Sequence, residues 1–139
     1  MTRDTDIAWC AGFFDGEGHV SYTRSYPHPN SGKVTCGLRC SVPQSADNIE
    51  VLKEFQRVVG LGKIMGPYPM GKAKLQYRLI FATKEIEPLF MILIPYLKHE
   101  KSSDFRNALL AYEAHDCRPT ADDYARLRRR DEKKVRKLG

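Results

Sequence analysis

Two carboxylates separated by a single glycine, Asp15 and Glu17 in the run CAGFFDGEG from Cys10 to Gly18, are the residues of this 139-residue chain best suited to chemistry. They close a segment of helical spacing. Ile7, Cys10 and Phe14 recur on one side of a helix from Asp6 to Asp15, Thr5 or Asp6 stands where an N-cap belongs, and Gly16 and Gly18 stop it. A second stripe, Ala8, Gly12 and Gly16, carries almost no side chain. Glycine inside a helix costs about 1 kcal/mol relative to alanine, and close approach of another backbone is the usual compensation. Two copies of this helix packed through Ala8 and Gly12 bring their C-terminal ends together, with Glu17 of each copy near one axis. Carboxylates at the negative ends of helices repel, and a divalent cation with oxygen ligands relieves that repulsion. A metal held by few protein carboxylates is also what phosphodiester hydrolysis uses.

Periodicity predicts the framework that carries these acids. Val20 and Tyr22 alternate with Ser21 and Thr23, and Val34, Cys36, Leu38, Cys40 and Val42 alternate with Thr35, Gly37, Arg39 and Ser41, which predicts a hairpin with one core face and one polar face. SYPHPNSG is its long tip. A second hairpin repeats the scheme around GPYPMGK: Leu75, Tyr77, Leu79 and Phe81 point to the core, and Lys74, Gln76 and Arg78 away from it, with Lys63 and Met65 on that same polar face. Between the hairpins, Asp47 and Glu50 fit a capping box, and Ile49, Leu52, Phe55 and Val59 give the following helix its buried side. Lys84 to Ile94 reads as a helix with Pro88 in its first turn, PYLKHEK as a connection, and Ser103 to Ala114 as a helix buried through Phe105, Ala108, Leu109 and Tyr112.

Charge is distributed unevenly. The stretches Gly18 to Gln44 and Gly60 to Phe81 contain no Asp or Glu beyond the motif, although they carry Arg24, Lys33, Arg39, Lys63, Lys72, Lys74 and Arg78. A surface purged of carboxylates suits a polyanion, and a two-stranded ribbon fits the major groove of DNA. The candidate DNA contacts are the polar-face residues Ser21, Thr23, Thr35, Gly37, Arg39, Ser41, Lys63, Met65, Lys74, Gln76 and Arg78, with Arg24, Ser25, His28, Asn30, Lys33 and Lys72 toward the hairpin tips. Most of the net charge of +6 lies past Pro119, where Arg126, Arg128, Arg129, Arg130, Lys133, Lys134, Arg136 and Lys137 outnumber Asp122, Asp123, Asp131 and Glu132. Residues 1–117 are therefore read as one domain, and 118–139 as a basic, helical extension that adds sequence-independent affinity.

Other classes are disfavoured. No apolar run reaches membrane-spanning length, and MTRDTD is too polar for a signal peptide, so an intracellular, reducing compartment is expected. Cys36 and Cys40 would stand about 13 Å apart along a strand, too far for a disulfide with each other and poor for one metal, so the cysteines are read as small buried hydrophobes. Nothing suggests a membrane partner or a small-molecule substrate.

CAGFFDGEG resembles the LAGLIDADG motif of homing endonucleases, matching it at Ala11, Gly12, Asp15, Gly16 and Gly18, with Glu17 in place of the last aspartate. The rest of the chain through about Tyr112 follows that family's order. The resemblance implies an α+β fold of αββαββα type: an antiparallel, saddle-shaped sheet with helices on one face, here with extra C-terminal helices. It implies a single-motif homodimer on double-stranded DNA, with Ala8, Ala11, Gly12 and Asp15 at the dimer interface. Glu17 and the Gly16 carbonyl would bind Mg²⁺ or Mn²⁺, and Asp15 would brace the helix end. The implied activity is intron homing: hydrolysis of one phosphodiester per strand of a pseudopalindromic target by metal-activated water. Gln44 would hold the water network, and Lys98 or Lys101, the latter favoured, would approach the scissile phosphate. The alternative is a catalytically silent DNA- or RNA-binding module on the same scaffold, serving as a regulator or a splicing maturase.

Overall fold

The computed structural model describes residues 3–25 and 27–114 and, beyond them, 121, 122, 124–126, 128, 129 and 133. In chain order the elements are α1 (Asp4–Glu17), β1 (His19–Arg24), β2 (Cys36–Ser45), α2 (Ile49–Val59), β3 (Lys63–Pro69), β4 (Leu75–Phe81), α3 (Thr83–Leu93) and α4 (His99–Ala114). The four strands form one antiparallel sheet in the order β1-β2-β4-β3. β2 is the seam. Its residues 36–41 pair with β1 and its residues 40–45 pair with β4, so one strand belongs to both halves of the sheet. The α+β architecture expected from the sequence is the one observed.

The core lies between one sheet face and the helices. Val20, Leu38, Cys40, Val42, Leu79 and Phe81 supply the sheet side, and Phe14, Phe55, Leu52, Ile86, Leu89, Leu93 and Phe105 the helical side. Aromatic rings bind the layers together: the Phe14 and Phe105 centroids lie 5.1 Å apart, those of Phe90 and Phe105 5.0 Å, and those of Phe55 and Phe81 6.2 Å. Ring pairs at such spacing contribute about 0.5–1.5 kcal/mol each beyond the area they bury. α2 ends at Gly60 in a left-handed conformation, φ +68°, the conformation that glycine adopts without a Cβ penalty.

Several local expectations give way. α4 starts at His99 rather than near Ser103, so Lys101 sits in a helix rather than in a connection. The Asp47–Glu50 capping box does not form: a 3-10 turn over Ala46–Asn48 intervenes, and no side chain caps α2. Pro88 lies inside α3, beyond its first turn. β2 begins at Cys36, although Val34 before it is buried. Leu75 is 48% exposed, because it starts β4 beyond the reach of the helices.

The cysteines divide. Cys10 and Cys40 are free and buried as expected, and burial raises both thiols, that of Cys10 to about 12. Cys36 is instead disulfide-bonded. The strand-spacing argument excluded only Cys40 as its partner. Disulfides persist in oxidising surroundings, so the cysteines no longer support a reducing compartment. Among the described residues no helix is long and apolar enough to cross a membrane.

Candidate catalytic and nucleic-acid-binding surface

Glu17 is the last residue of α1, exposed at the carbonyl end of the helix, and no hydrogen bond or ion pair engages its carboxylate among the described residues. The two acids have separated roles. Asp15 is half-buried, and both of its oxygens accept the Lys98 backbone N–H, at 3.2 Å each. Since the Lys98 carbonyl accepts from Ser102 N–H at 3.0 Å, Lys98 is the N-cap of α4, and the end of α1 caps the start of α4.

That cap places α4's first turn beside Glu17. The Lys101 ammonium donates to the Gly18 carbonyl at 2.7 Å, one residue past Glu17, in a partly buried position. Its charge also reaches Cys40, whose thiol it lowers against the larger effect of burial. Lys98, the other candidate, contributes its main chain to the cap and is exposed. Gln44 stands at the sheet end from which α1 enters β1: β2 runs on past Ser41, the partner of His19. Its Oε1 accepts Ser45 N–H at 3.0 Å.

The small-residue stripe resolves into two kinds of position. A Cβ added at Gly12 or Gly16 would meet nothing within 4 Å inside the protomer, and both glycines are exposed. Ala8 is half-buried beside them. Ala11 does not belong to that surface. It is 0% exposed within the protomer's own core, because the helix turns it toward the apolar side with Cys10 and Phe14. Gly18 is small for another reason, since a Cβ there would fall 2.5 Å from the Phe14 ring.

The outward face of the sheet carries Ser21 opposite Arg39, Thr23 opposite Gly37, Ser41 opposite Ile80, Met65 opposite Arg78, and Lys63 opposite Ile80. No Asp or Glu lies on any of the four strands. Ser25 and Thr35 extend this face toward the tip, where Ser25 Oγ accepts Thr35 N–H at 2.8 Å. His28, Asn30, Lys33, Lys72 and Lys74 lie in the two tip loops. Arg24 ends β1 toward the tip, where it is exposed, opposite Cys36 and on the alternation of Val20 and Tyr22. Sequence reasoning passed over Ile80, whose place between Leu79 and Phe81 makes it outward by strict alternation. The basic extension falls largely outside the described residues, and those described within it, such as Arg126, Arg128 and Arg129, are helical.

For a divalent cation the donor chemistry is suitable, an unengaged carboxylate next to main-chain carbonyls at a helix end, but it is incomplete. No cluster of three or more His, Cys, Asp or Glu side chains occurs among the described residues.

The chain is similar to known proteins in sequence and in fold. A family model described as LAGLIDADG endonuclease matches residues 10–112. Among solved structures, the chain is similar to the homing endonuclease I-CvuI in complex with the I-CreI target (19% identity, TM-score 0.62, 78% of this chain and 66% of that one). It is also similar to the group I intron-encoded homing endonuclease I-CeuI complexed with DNA (16% identity, TM-score 0.64, 81% and 56%) and to the homing endonuclease I-TnaI (20% identity, TM-score 0.58, 79% and 71%). The chain thus spans just under two-thirds of the I-CvuI chain, 66%. No curated protein matches.

Proposed function

Because the chain belongs to the LAGLIDADG endonuclease family, we propose that it is a site-specific double-strand DNA endonuclease that works as a homodimer and cuts one phosphodiester per strand. One observation carries this reading: the unengaged Glu17 carboxylate ends a helix whose Gly12 and Gly16 face open space. Two helix glycines that nothing in the protomer requires are accounted for by a second backbone lying across them. Such a seam pairs the two Glu17 carboxylates, completing the donor set that one protomer lacks.

Glu17 and the Gly16 carbonyl would hold Mg²⁺ or a similar ion, which when bound supplies Lewis acidity and offsets phosphate charge. Structures of the similar I-CvuI with target DNA were obtained in the presence of Mg or of Ca. The chain's own groups do the rest. Lys101, held at the Gly18 carbonyl, is positioned to lend positive charge to the phosphate as negative charge builds there, and is favoured over Lys98. Gln44 offers an amide to order water at the same end of the sheet. Asp15 holds α4, and with it Lys101, against α1. The acid-free strands lie along the groove, and the basic extension 118–139, a unit separate from the domain 1–117, adds phosphate contacts.

Glu17→Gln tests the reading against a silent binding module. A random duplex library first yields a bound site. Wild type and variant should then bind that site within about twofold of each other, while cleavage in Mg²⁺ falls at least about a hundredfold in the variant. Binding without cleavage by wild type under the same conditions would instead identify a module retained for regulation or splicing.

A further inference from the structure

The outward sheet face is polar at one hairpin and mixed at the other. Between β1 and β2 the outward residues are Ser21, Thr23, Gly37 and Arg39, all small or hydrogen-bonding. On β4, by contrast, Ile80 turns outward and is 36% exposed, between the buried Leu79 and Phe81. The strand register surrounds it with more apolar surface. Ile80 pairs with Ser41 and Lys63, so Pro43 and Met65, each two residues further along, are its diagonal neighbours, and Met65 is also 36% exposed. Arg78 lies between those two, paired with Pro43 on one side and Met65 on the other. The arginine is held in place. Its Nε donates to Gln76 Oε1 at 3.2 Å, and its guanidinium carbon lies 5.4 Å from the centre of the Tyr68 ring.

A single exposed isoleucine needs no explanation. Three adjacent apolar groups around a fixed arginine, on strands with no carboxylate, suit a ligand that is anionic overall and apolar at one spot. In the DNA major groove, base edges carry one apolar feature that fits, the C5-methyl of thymine. Resting on the DNA reading proposed for this face, we propose that Ile80 and Met65, flanked by Pro43, contact thymine methyls. The second hairpin then selects thymine at a fixed offset in each half-site, while the first hairpin reads hydrogen-bonding edges.

Deoxyuridine lacks only that methyl, so the test can be made on the DNA without disturbing the protein. A site recovered from a random duplex library is rebuilt with deoxyuridine at each thymine in turn, and affinity is measured for wild type, Ile80→Ser and Met65→Ser. Wild type should lose about fourfold at one or two thymines per half-site, the equivalent of one buried methyl-sized group. At those positions the variants should bind thymine and deoxyuridine equally. Uniform indifference to the exchange, or sensitivity that persists in both variants, would overturn the proposal while leaving the DNA reading intact. Recovery of no preferred sequence at all would sink the DNA reading first.

Discussion

At the level of single residues, two neighbouring acids do different work. Glu17 is exposed and unengaged, whereas Asp15 commits both oxygens to the start of α4. Asp15→Ala should therefore cost about 1 kcal/mol of stability, the usual loss for a removed helix cap, and should slow cleavage more than it weakens binding because Lys101 loses its anchorage. Asp15→Asn keeps an acceptor and should recover most of both. Urea midpoints and single-turnover rates measure the two effects, and equal behaviour of the alanine and asparagine variants would refute the capping role. Glu85 gives a pH signature. Its carboxylate accepts Gly62 N–H at 3.0 Å and Ala82 N–H at 2.9 Å, and those hydrogen bonds hold it below the usual carboxylate range. A depressed folded-state value stabilises above the unfolded value and loses that contribution as pH falls through the folded one. The melting-temperature gap between wild type and Glu85→Gln should be widest near neutrality and should close in acid.

Elements show why part of the molecule is legible in its sequence and part is not. Alternation in Val20–Thr23 and Leu38–Val42 locates the strands because each side chain answers to one of two faces. The start of α4 is hidden, since its capping carboxylate comes from a residue 83 positions away and leaves no local signal. Local spacing consequently leaves Lys101 in a loop. Asp47 and Glu50 mislead in the opposite sense, as a local pattern overridden by the 3-10 turn before α2. The helical stripe of α1 is visible, but spacing alone does not tell Ala11, packed inside, from Gly12, which faces outward. Gly12→Leu accordingly should leave the protomer folded, even raising helix propensity by up to about 1 kcal/mol, while abolishing self-association and cutting. Sedimentation checks this: a leucine variant that still forms dimers would remove α1 from the seam.

For the molecule as a whole, electrostatics and topology set the behaviour. The logarithm of DNA affinity should fall linearly with log salt, and Arg128→Gln with Arg129→Gln should flatten that slope by up to about 1.8 without changing which sequences are selected. A change in the selected sequence would assign those arginines to base reading. Topology imposes a different limit through β2, the strand that serves both ribbons. Side chains alternate faces residue by residue, so deleting one residue from the middle of this strand inverts every downstream side chain and disturbs both halves of the sheet at once. Lengthening the tips at 27–34 or 70–74 leaves the register of the four strands unchanged. Adaptation to a new target is thereby channelled into point replacements along the strands and insertions at the tips, and the shared strand is expected to keep its length through any such divergence.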